Sequence, residues 1–181
     1  MENIKVSGRI VLHPIQLIDA SEIFQTIKNQ RDYLGRWLPF VATTEEQKDT
    51  EAFISSVIET PEDKREHTFV IRYKNTFAGI IGFRGTDRAN KKTELGYWLS
   101  EHFQGKGIVI QSVKKLIALS FNQLNMNRLV IRCATENYKS KKIPISLNFK
   151  FEGIERAGEL LSNGKFTDLE VYSLLKRETK I

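Results

Sequence analysis

Glu94-Leu95-Gly96-Tyr97-Trp98-Leu99-Ser100, followed after three residues by Gln104-Gly105-Lys106-Gly107-Ile108-Val109, reads as a strand that runs into a glycine-rich turn and opens an amphipathic helix. At a helix start the first amide N–H groups lack intrahelical partners and the dipole presents positive potential. A loop free of bulky side chains there can wrap a diphosphate closely. The strand adds a second feature, because exposed backbone at Trp98 and Leu99 can pair with the arm of a ligand as an added strand would. Together the two features point to a long, phosphate-bearing thioester cofactor. Taken alone, the loop has an equally ordinary reading as a helix-capping turn with two glycines.

Outward from this stretch the pattern alternates between strand and helix. Residues 9–13 alternate like a strand, and Asp19-Ala20-Ser21-Glu22 reads as a capping box for a helix reaching about residue 30. A short aromatic helical piece holds Tyr33, Leu34, Trp37, Leu38 and Phe40 and stops near Pro39; Thr44 with Gln47 then caps a helix to about residue 59. Residues 68–73 and 77–84 form a hairpin around Lys74-Asn75-Thr76, with 93–99 as the third antiparallel strand. The helix after the glycine loop spans about 105–124, with Val109, Val113, Leu116, Ile117, Phe121 and Leu124 on one face. A buried strand at 128–134, a helix at 137–148 and two strands at 151–159 and 165–176, joined through Asn163-Gly164, complete a mixed α/β pattern.

A chain of 181 residues with 40% hydrophobic and 28% charged residues can bury one sizeable core, and no linker or repeat divides it, so 1–181 is expected to be one domain. The amino terminus has no apolar core of a secretory signal and no run approaches the roughly 20 residues of a membrane span, which predicts a cytoplasmic protein. Cys133 is the one cysteine; it lies in an alternating apolar run and reads as a buried thiol. The net charge of +6 admits a ribosome-surface or nucleic-acid reading, yet no zinc-finger spacing or RNP-type aromatic motif supports direct nucleic-acid reading. Lys91, Lys92, Lys106, Lys114, Lys115, Lys139, Lys141 and Lys142 are instead expected around the cofactor cleft, beside ordinary solvated lysines. His13, His67 and His102 are isolated along the sequence, and no metal site is indicated.

The helix starting at Asn137 concentrates candidate chemistry. Asn137 can cap it and also reach an amide of the cofactor arm, while Ser140, one turn on, can protonate a leaving thiolate; a plain helix cap and a solvated serine are the competing readings. Pro144 lacks the N–H that would bond the Ser140 carbonyl, so the helix should loosen at its start. Glu159 by itself reads as a surface or turn glutamate, and the dipoles that a thioester's developing oxyanion needs can come from backbone N–H groups near Trp98 and Leu99.

G-x-G-x-x-G and GxxxxGK[ST] are both absent. The strand, Gln-Gly-Lys-Gly and helix instead resemble the acetyl-CoA signature of the GNAT acyltransferases. Arg36-Trp37-Leu38-Pro39, the block from 94 to 109, Glu136-Asn137-Tyr138-Lys139-Ser140, Phe151-Glu152-Gly153 and the stretch from 168 to 176 fall in the order of the RimL/RimJ-like branch. The resemblance implies an α/β fold with a mostly antiparallel central sheet, splayed after the strand carrying Trp98 to admit acetyl-CoA, and helices on both faces. It implies that Trp98, Leu99, Gln104, Gly105, Lys106, Gly107, Ile108, Val109 and Asn137 bind the cofactor. It assigns Glu159, seven residues after the Glu152-Gly153 pair, as the base, and Ser140 as the acid. Many GNAT enzymes carry a tyrosine acid where this chain has Pro144. Asn148-Phe149 replaces a usual Gly-Phe, and Val109 replaces a residue that is often small. The implied acceptor is the α-amino group of a ribosomal protein, with a small amine such as a polyamine, aminoglycoside or amino acid as the alternative. A CoA-sensing or ribosome-docking module without turnover, and a homo-oligomer, also stay open. Trp37-Leu38-Pro39-Phe40 lines the acceptor side or belongs to the core.

Overall fold

The computed structural model describes residues 1–61 and 64–179. β1 (Ile4–Lys5), β2 (Ile10–Pro14), β3 (Thr68–Tyr73), β4 (Thr76–Asp87) and β5 (Lys92–Leu99) stand side by side in chain order. β6 (Arg128–Ala134) follows, then β8 (Phe166–Leu175) and, at the edge, β7 (Lys150–Leu160). Neighbouring strands are antiparallel except β5 and β6, which run parallel. Lys74 (φ 48°) and Asn75 (φ 67°) make a tight two-residue turn between β3 and β4, because left-handed residues match the twist of the flanking strands.

Alternation along these strands feeds two apolar clusters. Leu12, Phe69, Ile71, Ala78 and Ile81 face α4 (Ile108–Asn122), whose Ile108, Val113, Leu116, Leu119 and Phe121 complete one core. Val70, Phe77 and Ile80 face the opposite side, against Ile23 and Ile27 of α1 (Ala20–Asn29), Leu34 of α2 (Arg31–Leu34) and Ile54 of α3 (Gln47–Glu59). α5 (Tyr138–Ser146) lies on the α4 side, where Ile143 packs against the first core. Over β3 to β5 both faces are therefore covered, as the helical and strand periodicities require.

Two helix starts differ from the sequence reading. Ahead of α1, Asp19 Oδ2 accepts from the Gln16 amide at 2.9 Å, so the box closes one turn earlier, on a 3-10 turn at Leu17–Asp19. Asp19 and Glu22 are instead drawn to Arg72, with Arg72 Nη2 2.9 Å from Asp19 Oδ1. At α3 the box is Glu46 with Asp49, because the Thr44 hydroxyl donates back to the Phe40 carbonyl at 2.9 Å. Pro39 opens a 3-10 turn, Pro39–Ala42, instead of stopping a helix; its fixed φ and missing N–H suit a first position. The Asn163-Gly164 hairpin forms, but as a longer loop in which Gly164 (φ 76°) alone is left-handed and Leu161 bonds Lys165.

The parallel pair positions the site. β5 pairs with β6 only over Lys92–Glu94, opposite Arg128–Val130. Beyond Glu94, β5 stays with β4 as far as Leu99, while β6 stays with β8 as far as Ala134. The two half-sheets part, and each presents backbone N–H and C=O groups to the gap between them. This is the splay expected after the strand of Trp98.

Candidate active site

At the carboxyl end of β5 a 3-10 turn, Glu101–Phe103, leads into Gly105 (φ 73°) and Gly107 (φ 67°). Gly107 is the N-cap of α4, and the first helical bond of α4 runs from the Gln111 amide to the Gly107 carbonyl at 3.2 Å. The amides of Ile108, Val109 and Ile110 thus have no intrahelical acceptor, and no acidic residue in the first turn offsets the dipole. Val109 turns its side chain against the main core, so the crowding expected from its branched carbon falls away from the loop. Gln104 ties the loop to both sides of the gap: its amide donates to the Tyr33 hydroxyl, and its carbonyl accepts from Lys139 Nζ at 2.6 Å.

Of the lysines expected around the cleft, Lys106 and Lys139 border the loop; Lys106 Nζ sits 4.9 Å over the Phe103 ring and 2.8 Å from the His102 carbonyl. Lys141 is held by Glu170 at 2.5 Å. Lys91 and Lys92 lie at the opposite end of β5, with Lys92 3.6 Å from Asp87. Eight extended residues separate them from the loop by about 25 Å, a spacing that closeness in sequence conceals.

Across the gap, Asn137 caps α5, its Oδ1 accepting the Ser140 amide at 3.1 Å, which leaves the side-chain NH₂ as a donor toward the gap. Pro144 sits inside α5, as its position foretold, and the Ser140 carbonyl finds another donor in the Tyr97 hydroxyl at 3.2 Å. Asn148 takes the left-handed stop with φ 59°, so the departure from Gly keeps the turn. On β5, Ser100 N–H bonds the Ala78 carbonyl of β4. Strand alternation then gives Trp98's amide to β4 as well and turns Leu99's amide into the gap, so of the two only Leu99's N–H is free to meet a group there.

Glu159 reaches the site through an irregular β7. Between Glu155, opposite Leu169, and Glu159, opposite Thr167, β7 spends four residues against two on β8. Ala157 is left-handed (φ 51°), and its N–H donates to Asp168 Oδ1 at 2.7 Å. Such bulges re-aim side chains. Burial raises the Glu159 carboxyl above its ordinary value, opposed by the Arg84 and Arg132 guanidiniums and reinforced by Glu94 and Glu155. Both arginines are already engaged: Arg84 and Arg132 each put Nε 2.7 Å from the buried Glu94 carboxylate, and Arg132 Nη1 is 3.0 Å from Glu155. A Cβ at Gly158 would lie 2.9 Å from Leu169 Cγ and 3.1 Å from Glu155 Cδ. Gly158→Ala is accordingly expected to displace Glu159 and lower kcat by roughly tenfold, with CoA affinity unchanged in a binding titration.

A cavity of about 940 Å³ collects Trp98, Asn137, Ser140 and Glu159 on one lining, together with Tyr97, Arg84, Arg132 and Cys133. Trp37, Leu38, Pro39 and Phe40 line the same cavity. Leu99 and the loop from Gln104 to Val109 lie outside that lining, at the carboxyl end of β5. Cys133 is buried, its thiol pushed up to about 11 by burial and Glu170, so it stays protonated at neutral pH. Glu152 is pinned by Arg128 and Ser173. Hydrogen bonds from both partners hold its carboxyl down to about 2. The sequence reading assigned no role to Tyr97, Arg84, Glu94 or Arg132; the missing N–H of Pro144 was the one local sign that Ser140 needs a distant donor. Among the described residues no group of three or more His, Cys, Asp or Glu is arranged to hold a metal ion.

The arrangement offers free amides at a helix start, an open strand edge, a carboxyl raised by burial and a hydroxyl about one gap, groups that acyl transfer from a thioester could use. Comparisons with known proteins agree. Residues 9–150 match the family model described as an acetyltransferase (GNAT) domain. YdaF of Bacillus subtilis (strain 168), provisionally named a ribosomal N-acetyltransferase, is 33% identical over 180 residues, covering 96% of this chain and 95% of its own. The microcin C7 self-immunity acetyltransferase MccE, solved with acetyl-CoA and AMP, superposes with a TM-score of 0.91 at 31% identity, covering 96% of each chain. RimL, a ribosomal L7/L12 alpha-N-protein acetyltransferase solved with coenzyme A, gives 0.92 at 26% identity over 98% of this chain and 100% of its own.

Proposed function

The chain belongs to the GNAT acetyltransferase family, and we propose that it transfers acetyl from acetyl-CoA to the α-amino group of a protein N-terminus, a ribosomal protein being the acceptor class. The convergence of Glu159, Asn137 and Ser140 on one cavity beside the unpaired edge of β5 carries this reading. RimL, so named for an alpha-N-protein acceptor, supports the acceptor class.

In this reading the amides of Gly105 to Val109 hold the diphosphate, with Lys106 and Lys139 adding charge. The pantetheine arm pairs with β5 in the gap, where the Asn137 NH₂ meets one of its amides. The acceptor enters past Trp37 and Phe40. Glu159 takes the ammonium proton, directly or through water, the amine attacks the thioester carbonyl, and the Leu99 N–H stabilises the oxyanion. As the C–S bond breaks, the thiolate takes the Ser140 hydroxyl proton, and the serine oxygen regains one from the nitrogen, which sheds its second proton on becoming the amide. An α-amino group titrates near ~8 and a lysine near ~10.4, so a carboxylate raised by burial suffices for the former. Transfer proceeds in one catalytic domain, in the cytoplasm, where acetyl-CoA and nascent ribosomal proteins meet. Among the described residues no helix is long and apolar enough to cross a membrane.

Mass spectrometry after incubation with acetyl-CoA and three acceptors tests the acceptor class: a peptide with a free α-amine, the same peptide blocked at its N-terminus but carrying lysine, and spermidine. Acetylation is expected on the free α-amine at least tenfold faster than on the others. Preference for spermidine would move the acceptor to small amines.

A further inference from the structure

Ser140 stands on a helix that its own sequence interrupts. Pro144 has no N–H for the Ser140 carbonyl four residues back, and a backbone carbonyl left without a donor in a half-buried site is unfavourable. The Tyr97 hydroxyl, 43 positions away on β5, donates to that carbonyl at 3.2 Å. The same phenol oxygen accepts from Ser140 Oγ at 3.3 Å. Tyr97 lies past the last residue at which β5 pairs with β6, so its ring spans the gap from one half-sheet to the helix on the other.

We propose that Tyr97 is a positioning residue for acetyl transfer: its hydroxyl replaces the N–H that Pro144 lacks and, by engaging both the carbonyl and the hydroxyl of Ser140, fixes the serine where the thiolate leaves. The role rests on the assignment of Ser140 as the proton donor. The tyrosine holds its partner from across the gap and needs no contact with the sulfur. Burial raises its phenol above the usual tyrosine range, so it keeps its proton at any working pH and remains a donor to the carbonyl. The device also accounts for the coexistence of Pro144 and Ser140 on one short helix: the proline opens the first turn, and the strand opposite closes it.

A double-mutant cycle with Tyr97→Phe and Pro144→Ala, read in both melting temperature and steady-state kinetics, tests this. Tyr97→Phe keeps the ring, so folding is preserved. It is expected to lower kcat about tenfold with KM for acetyl-CoA within about twofold, and to lower Tm by a few degrees. Alanine at position 144 restores an N–H to the Ser140 carbonyl. In the Pro144→Ala background the same Tyr97→Phe change should therefore cost no more than about threefold in kcat and almost nothing in Tm. Equal losses in both backgrounds, or a Tyr97→Phe enzyme with wild-type kcat, would overturn the role of Tyr97. Coupling in Tm with no acetyl transfer from the wild-type protein would overturn the acetyl-transfer reading on which the role of Ser140 rests.

Discussion

Glu159→Gln is expected to lower kcat by roughly 10²-fold or more at neutral pH while CoA affinity stays within about twofold. Glutamine keeps the shape of the side chain and the bulge of β7 but cannot accept the ammonium proton. The carboxyl is raised by burial, so the wild-type enzyme should lose activity as pH falls through a value above the ordinary glutamate range, as the base becomes protonated. The variant should lack that limb. It should instead recover activity as pH rises past the acceptor's own pKa, near ~8 for an α-amine, where free amine needs no base. Ser140→Ala should cost less, since a thiol titrates near ~8.5 and its thiolate leaves tolerably unaided. A Glu159→Gln defect constant from neutral pH to about 9.5 would mean that the residue positions substrate and does not take its proton.

The second large effect lies at the glycine loop. CoA at 100 times its Kd should stabilise the wild-type fold by about 2.7 kcal/mol, and pantetheine, which lacks the diphosphate, should stabilise it less. Gly107→Glu places a carboxylate at the N-cap of α4, where the diphosphate should lie, and is expected to weaken CoA at least 100-fold. Gly107 is left-handed, so any side chain there is strained by about 1–2 kcal/mol. Gly107→Ala carries the same strain without the charge; a Cβ at this position meets Gln111 Nε2 at 3.4 Å and Ile110 Cγ2 at 3.9 Å, both movable side-chain atoms. Alanine should therefore lower Tm and leave most of the CoA shift intact. A Gly107→Glu protein that retained wild-type CoA affinity would remove the diphosphate from this loop.

Local signals located most of this architecture. The strand of residues 128–134 is observed as Arg128–Ala134, and Asn148 takes the left-handed stop, because each is decided by alternation or by one residue's backbone preference. Caps were harder to read. Thr44 and Asp19 are good capping residues, but Thr44 bonds within its own turn and Asp19 answers Arg72, a partner 53 residues away. The bulge that aims Glu159 also escapes pattern reading: it arises from the register of β7 on β8 and from Gly158 passing Leu169, which no spacing along one strand encodes. Tyr97 stood in the most informative stretch of the chain, yet its role depends on a helix across the gap. The lysines show the same limit, since Lys91 and Lys106 are close in sequence and occupy opposite ends of β5. The site's residue types were legible; its long-range pairings belong to the folded sheet.

A crystal structure of the protein with CoA tests the central claim most directly. The account predicts the diphosphate within hydrogen-bonding distance of the amides of Gly105 to Val109, the pantetheine between β5 and β6 beside Asn137, and the sulfur next to Ser140. CoA bound elsewhere, or with its diphosphate away from the start of α4, would contradict it.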